Sequence, residues 1–270
     1  MATSGKSPSE DTNLRRSLAL LWNGRSSGRR GPRPRLSVER IARAAIRIAD
    51  TEGLEALSMQ RIAAELGFST MAIYNHIPSK DLLLEVAADV VAGEPPELDG
   101  TGDFRDEVTR WVAALWAVFQ AHPWILRVPL DHAPVGPNQL AWLDRLLRPM
   151  LAAGLVGEEA RVAALHLIAV VRGTAQVSND LTDARAGEDE AMDGGAEVAR
   201  FLAEVIDPAA HPGLAAVFAA EATSDHAGQK HPGKEPLPAE LGFGVDRFLD
   251  GIEAWGAAKS RRGGKGREAD

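Results

Sequence analysis

The chain has 270 residues, of which 45% are hydrophobic and 25% charged, and it contains no cysteine. This composition is typical of a folded protein of one or two domains, and it excludes disulfides and cysteine-ligated metals. No apolar run reaches the roughly 18 residues of a membrane span, and the first residues lack the apolar core of a signal peptide. We therefore expect a cytoplasmic protein with no membrane partner.

The net charge of −8 is distributed unevenly. Residues 1–48 hold eleven Lys and Arg but three acidic residues, a local charge of +8, so the remainder carries −16. Such asymmetry indicates that nucleic acid binds at the basic end. Residues 1–35 are expected to be a disordered basic arm, apart from a short helix within 14–22. Either Arg33 and Arg35 add phosphate or minor-groove contacts, or the arm is a solvated tail.

The first long helix is predicted from Ser37, its N-cap, to about Glu52, because apolar residues recur at helical spacing and Gly53 ends the pattern. After it comes LSMQRIAAELGFSTMAIYNHIPSK, which predicts two short helices, 59–66 and 70–75. Each follows a serine, and Gly67 lies between them. This is a helix-turn-helix, whose second helix would enter the DNA major groove. Ser79 then begins a fourth helix, from Lys80 to about Val91.

Three ordered motifs occur in this region: AA followed after seven residues by G, then I-A-x-x-L-G, then Y-x-H-x-x-S-K-x-x-L. Together they resemble the N-terminal domain of the TetR (tetracycline repressor) family of transcriptional regulators, over about residues 36–91. The resemblance implies a three-helix, helix-turn-helix DNA-binding domain that spans residues 36–92. It also implies homodimers that bind a pseudo-palindromic operator in double-stranded DNA.

Candidate DNA-binding residues lie on and around the second short helix. Its first residues would face base edges, where small and apolar groups suit thymine methyls: Ser69, Thr70, Met71 and Ala72. The resemblance implies DNA contacts for Tyr74 and His76, although Tyr74 could instead be half core and His76 structural. Lys80, at a helix N-terminus, can hold a phosphate together with free amides. Further candidates are Ser58, Gln60 and Arg61.

Longer helices are predicted beyond a Pro- and Gly-rich linker at 93–103. The long helices are expected at 104–120, 137–153, 158–181 and 243–257, and shorter ones near 195–206 and 212–222. Prolines should break 122–137 into short pieces. Loops are expected at 182–196 and 226–240, and a polar tail at 259–270. The predicted fold is all-α, with the helix-turn-helix domain followed by a larger helical domain over 104–258.

The segments HPWILRVPL…GPNQLAWLDRLL…AGL and FGVDRFLDGIEAW resemble the C-terminal domain of tetracycline-repressor-like proteins. The resemblance implies an all-helical domain that binds a small ligand in a central cavity. It further implies that two copies pair through the helices at about 158–181 and 243–257. The tetracycline repressor holds a magnesium-bound drug through a His and a Glu. His132 lies near the matching His, but no Glu partner is evident, so no metal and no cofactor are predicted.

Aromatic residues cluster in the segments that would wall such a cavity, and polar groups accompany them. Apolar pockets with few polar groups are typical small-molecule sites. The candidate ligand-binding residues are Trp111, Trp116, Phe119, Trp124, Leu130, His132, Gln139, Trp142, His166, Ile168 and Arg172, with Asn138 and Gln176 as further polar candidates. The alternative interpretation is a packed core.

The chain lacks the glycine-rich, nucleophile and zinc motifs that mark common enzyme classes, and its His and carboxylate residues lack metal-ligand spacing. We therefore expect no catalytic residues. The leading hypothesis is a ligand-responsive repressor that a small apolar or aromatic effector releases from DNA. The alternatives are a ligand-independent DNA-binding protein whose C-terminal domain only dimerises, and a helical enzyme or carrier with an inherited DNA-binding end.

Overall fold

A computed structural model of the chain describes residues 19–22, 35–98, 100–129, 135–186, 201–202, 204–223 and 237–265. Within these ranges the regular structure is helical and no strand occurs, which confirms the predicted all-α fold. None of the described helices combines the length and the apolar character that crossing a bilayer requires. Contacts divide the chain into two compact units, one of residues 1–177 with 240–270 and one of residues 178–239.

The helix bounds follow the sequence signals closely. The N-terminal domain contains α1 (Val38–Glu52), α2 (Met59–Leu66), α3 (Thr70–His76) and α4 (Lys80–Ala92), with a short 3-10 helix, Leu54–Ala56, after α1. The C-terminal domain contains α5 (Phe104–Ala121), a 3-10 helix (Pro123–Arg127), α6 (Pro137–Ala152), α7 (Gly157–Ala186), α8 (Pro212–Thr223) and α9 (Ala239–Lys265).

Serine caps begin all four helices of the N-terminal domain. The hydroxyls of Ser37, Ser58, Ser69 and Ser79 each accept a hydrogen bond from the backbone N–H three residues ahead, over 3.1–3.3 Å. Each bond satisfies one of the amides that the first helical turn leaves without a partner. The caps therefore fix where α1, α2, α3 and α4 begin.

The turn between α2 and α3 depends on Gly67, which has φ 72° and ψ 35°. Glycine adopts this left-handed conformation without the steric penalty of a Cβ. The amide of Phe68 then donates to the carbonyl of Ala63 over 3.0 Å, which closes the helix in a Schellman arrangement. The guanidinium of Arg40 in α1 lies 5.8 Å from the centre of the half-buried Phe68 ring. This turn sets the angle at which α3 leaves α2.

Helix α4 is joined to α6 by hydrogen bonds from buried groups. The Asp89 carboxylate, 3% exposed, accepts from the backbone amides of Asn138 and Gln139, both over 3.0 Å. It thus caps the start of α6 from another helix, where Gly136 supplies no side-chain cap. The indole N–H of Trp142 donates to the carbonyls of Ala92 and Gly93 at the end of α4. These bonds fix the end of the N-terminal domain to the C-terminal domain.

Two helices are longer than predicted. Helix α7 continues to Ala186, so the loop predicted from 182 is wrong for its first residues. The stretch TDARA contains no Gly or Pro, and polar residues continue a helix readily where one face meets solvent. Helix α9 likewise begins at Ala239 and continues to Lys265, into the predicted polar tail.

Other sequence predictions fall partly outside the described residues. Residues 19–22 form a helical turn, with Leu21 buried and the Trp22 indole N–H donating to the Val135 carbonyl over 3.0 Å. The remainder of the predicted 14–22 helix lies outside the described part. Near 195–206, helical residues are described at 201–202 and 204–205. Most of the predicted 226–240 loop is also outside the description.

Candidate functional site

The recognition helix α3 presents apolar side chains to solvent. Ile73 is fully buried and anchors the helix, whereas Met71 is 69% exposed and Tyr74 45% exposed. Ser69 is exposed, and Thr70 and Ala72 are half-buried beside them. An exposed methionine and tyrosine one turn apart form a small apolar surface that water solvates poorly. Such a surface suits contact with base edges and thymine methyls.

The polar candidates around α3 differ in how far they are engaged within the protein. The half-buried His76 donates from Nδ1 to the Ala72 carbonyl over 3.0 Å. Lys80 is exposed and has no ion-pair partner among the described residues. Ser58 and Gln60 are exposed at the start of α2. Lys80 is thus a cation available to a phosphate.

Arg61, by contrast, is held by two carboxylates. Its guanidinium donates to Glu52 over 2.5 Å and to Glu65 over 3.1 Å. The hydrogen bond from Arg61 lowers the pKa of the Glu52 carboxyl, and the bonds to Glu52 and Glu65 raise the pKa of Arg61. A phosphate would have to replace carboxylates to bind this group, so a DNA contact by Arg61 stays a prediction.

The arginines of the arm are only partly described. Arg35 is exposed, and its backbone carbonyl accepts a hydrogen bond from the Arg40 guanidinium, which holds the entry into α1. Arg33, Leu130 and His132 lie outside the described residues.

The tryptophans predicted to wall a cavity are deeply packed and hydrogen-bonded within the protein. Trp111, Trp124 and Trp142 are each at most 6% exposed. Trp111 donates to the Trp142 carbonyl over 3.0 Å, and their rings meet edge to face with centroids 5.5 Å apart. Trp124 donates to Asp50 over 2.7 Å. Phe119 is buried and Trp116 half-buried. Their role in lining a ligand cavity stays a prediction.

The remaining ligand candidates separate into two groups on α7 and α6. The buried stripe of α7 passes through Ala164, Leu167, Val171 and Ala175. His166 lies off this stripe; it is exposed and stacks on Phe248 of α9, with centroids 5.6 Å apart. His166 therefore does not face the interior.

Closer to the interior, Ile168 and Arg172 are half-buried on α7. The Arg172 guanidinium contacts backbone carbonyls that follow α5. Gln139, also half-buried, uses its backbone amide to bind Asp89, and its side chain has no hydrogen bond to a described residue.

Two carboxylates that connect the domains, Asp50 and Asp89, were not predicted from the sequence. Asp50, near the end of α1, accepts hydrogen bonds from His122 Nδ1 over 2.8 Å and from the Trp124 indole over 2.7 Å. Asp89 could have been predicted as a buried polar contact, since it is an acidic residue inside the apolar run VAADVVA. Asp50 could not, because acidic residues are common on the exposed face of a helix.

No group of three or more His, Asp or Glu side chains in the described part of the chain is arranged to hold a metal ion. The candidate site combines the exposed face of α3, the exposed Lys80, which pairs with no described carboxylate, and a second domain bonded to α1 and α4.

Residues 35–87 match the family model of bacterial regulatory proteins of the tetR family. Residues 95–254 match the model of the tetracyclin repressor-like C-terminal domain.

Individual relatives agree with these matches. The chain is 33% identical to the HTH-type transcriptional repressor DrrR1 of Streptomyces coeruleorubidus, over 89% of this chain and 86% of that protein. Its structure is similar to that of ActR, a TetR family protein of Streptomyces coelicolor. The ActR complex with (S)-DNPA gives a TM-score of 0.64 at 25% identity, over 84% of this chain and all of that one.

The ActR complex with actinorhodin gives a TM-score of 0.65 at 26% identity, over 84% of this chain and 99% of that one. DrrR1 is named as a transcriptional repressor, and a relative from Saccharopolyspora erythraea is named as a transcriptional regulator. The two domain matches together cover most of the sequence, in the order that the family has. The chain belongs to the TetR family of helix-turn-helix transcriptional regulators.

Proposed function

We propose that the protein is a ligand-responsive repressor that binds a pseudo-palindromic operator as a homodimer. The observation that carries this proposal is the outward face of α3, with exposed Met71 and Tyr74, followed by the exposed Lys80 at the start of α4. The similarity to a named repressor, DrrR1, supports repression, and the ligand complexes of ActR support a response to a small apolar or aromatic effector. The DNA-binding residues named above are part of the proposal.

The proposal is tested by measuring the binding of the purified full-length protein to DNA fragments upstream of its own gene. We expect a protected pseudo-palindrome whose half-sites lie about one helical turn apart, because two recognition helices enter successive major grooves. Binding should weaken steeply with salt, since phosphate contacts release counterions. If no fragment is bound at low salt, the proposal is wrong.

Replacing Lys80 with alanine should weaken binding to operator and non-operator DNA alike. Lys80 is exposed without an ion pair in the described structure, and a phosphate contact there carries no sequence information. The slope of log affinity against log salt should become shallower by about 1 for each protomer. Fluorescence anisotropy at several salt concentrations measures both quantities.

The matched control is Arg110→Ala, which removes an exposed cation from α5. Its salt slope should equal that of the unaltered protein. An unchanged slope for Lys80→Ala would remove this lysine from the DNA interface.

The proposed dimer would form through the outer faces of α7 and α9. These faces expose large apolar side chains that a single chain leaves in water: Val162, Leu165, Val177, Phe243 and Trp255. Burial of such a patch is the main gain when two protomers associate. Replacing Leu165 with aspartate places a charge in the interface, and light scattering should then show monomers at concentrations where the unaltered protein is dimeric.

The control for this charge is Leu140→Asp, at an exposed position of α6 outside the proposed interface. It should leave the mass unchanged. A dimeric Leu165→Asp variant would place the interface elsewhere.

One observation favours a second candidate, a DNA-binding protein whose C-terminal domain only dimerises. The indole N–H groups of Trp111, Trp124 and Trp142 are all satisfied inside the fold, as expected of a packed core. Thermal unfolding with actinorhodin, which ActR binds, or with simpler aromatic compounds distinguishes the two candidates. Binding to the native state raises the unfolding temperature by mass action, whereas a closed core shows no response.

A further inference from the structure

Arg172 is a half-buried cation whose hydrogen bonds to the described residues all go to backbone carbonyls. It extends from α7 next to the buried Val171. Its Nη2 atom lies 2.8 Å from the carbonyl oxygen of Leu126, 3.2 Å from that of Val128 and 3.4 Å from that of Ile125. These carbonyls come from the last turn of the 3-10 helix 123–127 and the residue after it. Arg172 thus holds this segment against α7.

The positive charge of Arg172 has no carboxylate partner among the described residues. Burial lowers the pKa of its guanidinium. By contrast, Arg105, Arg145 and Arg148 of the C-terminal domain each pair with a carboxylate. A partly desolvated cation without an anion is unfavourable unless something supplies one. Arg172 therefore retains a capacity to bind an anion that the described residues do not use.

The hydrogen-bond inventory of the guanidinium indicates how an anion would bind. Arginine has five N–H donors, and the bonds of Arg172 to described residues use only Nη2. A carboxylate binds a guanidinium best in a two-point fork. Both possible forks, Nε with Nη2 and Nη1 with Nη2, use one N–H of Nη2. The two N–H groups of Nη2 already serve three carbonyl oxygens, so an anion bound in a fork competes with these carbonyls for an N–H donor.

The segment that Arg172 holds is itself bonded to the N-terminal domain. Trp124 lies in the 3-10 helix and His122 directly precedes it, and both donate to the same oxygen of Asp50 in α1. Trp124, Ile125 and Leu126 are buried. Only this one segment therefore separates the Arg172 guanidinium from a hydrogen-bonded contact with the first helix of the DNA-binding domain.

We propose that Arg172 binds the carboxylate of an acidic aromatic effector, and that the anion loosens the segment 122–128 from α7 and so changes its hold on Asp50. The inference rests on the proposed ligand response and names the chemical class of the ligand. The aromatic body would pack beside the apolar residues of the segment. Asp50 is a positioning residue in this scheme, because it transmits the change without touching the ligand.

A pair of probes that differ only in charge tests the ligand class. Thermal unfolding and calorimetry are measured with 2-naphthoate and with the neutral 2-naphthamide. We expect 2-naphthoate to bind about tenfold or more tightly than the amide, because a charge-assisted fork replaces a neutral contact. Equal binding of the two probes, or binding of neither, would overturn the inference.

Variants of Arg172 test the residue itself. Arg172→Met should lose the preference for 2-naphthoate, and Arg172→Lys should keep only part of it, because a lysine ammonium cannot form the fork. Arg110→Met is the matched surface control and should behave as the unaltered protein. If Arg172→Met does not fold, Arg172→Lys measured with the two probes still shows whether Arg172 causes the preference for 2-naphthoate. Full retention of the preference in either Arg172 variant contradicts the inference.

DNA affinity separates this inference from the proposed function. In the unaltered protein 2-naphthoate should weaken operator binding, whereas in Asp50→Ala it should still bind within about threefold but leave DNA affinity unchanged. The control is Asp81→Ala, in an exposed position of α4. If the protein binds the operator but the probes have no effect, the anion site is rejected and the proposed DNA-binding function stands. If the probes bind with charge selectivity but no operator is bound, the anion site stands and the proposed DNA-binding function is rejected.

Discussion

Replacing Trp111 with alanine should lower the free energy of unfolding by about 3–5 kcal/mol, among the largest effects of a single substitution in this protein. Trp111 is 1% exposed, and its ring packs edge to face on Trp142. The substitution removes this contact and a hydrogen bond to the Trp142 carbonyl, and it leaves a cavity that rigid neighbouring helices fill only in part. Urea unfolding followed by circular dichroism, at fixed protein concentration, measures the loss.

Two further variants identify the cause of that loss. Trp111→Phe keeps most of the apolar volume but loses the indole donor, and it should cost about 1–3 kcal/mol. Trp22→Ala removes a tryptophan that is 49% exposed and donates to a single carbonyl, and it should cost about 1 kcal/mol or less. If Trp111→Ala costs no more than Trp22→Ala, the packed contact between α5 and α6 is not a main source of stability.

Replacing Asp89 with alanine should cost about 2–3 kcal/mol of unfolding free energy. The substitution leaves the backbone amides of Asn138 and Gln139 without their acceptor at the start of α6, where they are shielded from water. It also removes a link between α4, which carries Lys80, and the C-terminal domain. We therefore expect a weakened effector response in addition to the lower stability, measured by operator anisotropy with and without ligand.

Gly136→Ala is an independent test of the same contact. A Cβ added there would lie 2.1 Å from the Asp89 carboxylate oxygen and 2.9 Å from its Cβ, so the carboxylate or α6 must move. The matched control is Asp81→Ala, which removes an exposed carboxylate from the first turn of α4. It should cost about 1 kcal/mol or less. A cost for Asp89→Ala no larger than the control would show that the cap is dispensable.

Signals that lie close together in the chain predicted the N-terminal domain well. Each helix there begins at a serine that bonds its own first turn, and the turn after α2 needs a glycine at position 67. Such bonds join residues three to five positions apart, so the sequence contains both partners side by side. The predictions were wrong at residues 182–186, because a polar stretch without Gly or Pro does not distinguish a loop from a continuing helix.

The sequence thus determined the helical fold, the position of the recognition helix, and the exposed residues that would contact DNA. Tertiary structure alone decided how the candidate ligand residues are used. Trp124 bonds Asp50 and Arg172 bonds carbonyls more than 40 positions away, while His166 turns outward. Helical periodicity assigns a residue to one face of its helix, but it does not state which distant carbonyl or carboxylate that face meets. Those partners depend on how the helices pack, and hence so does the connection between effector and DNA.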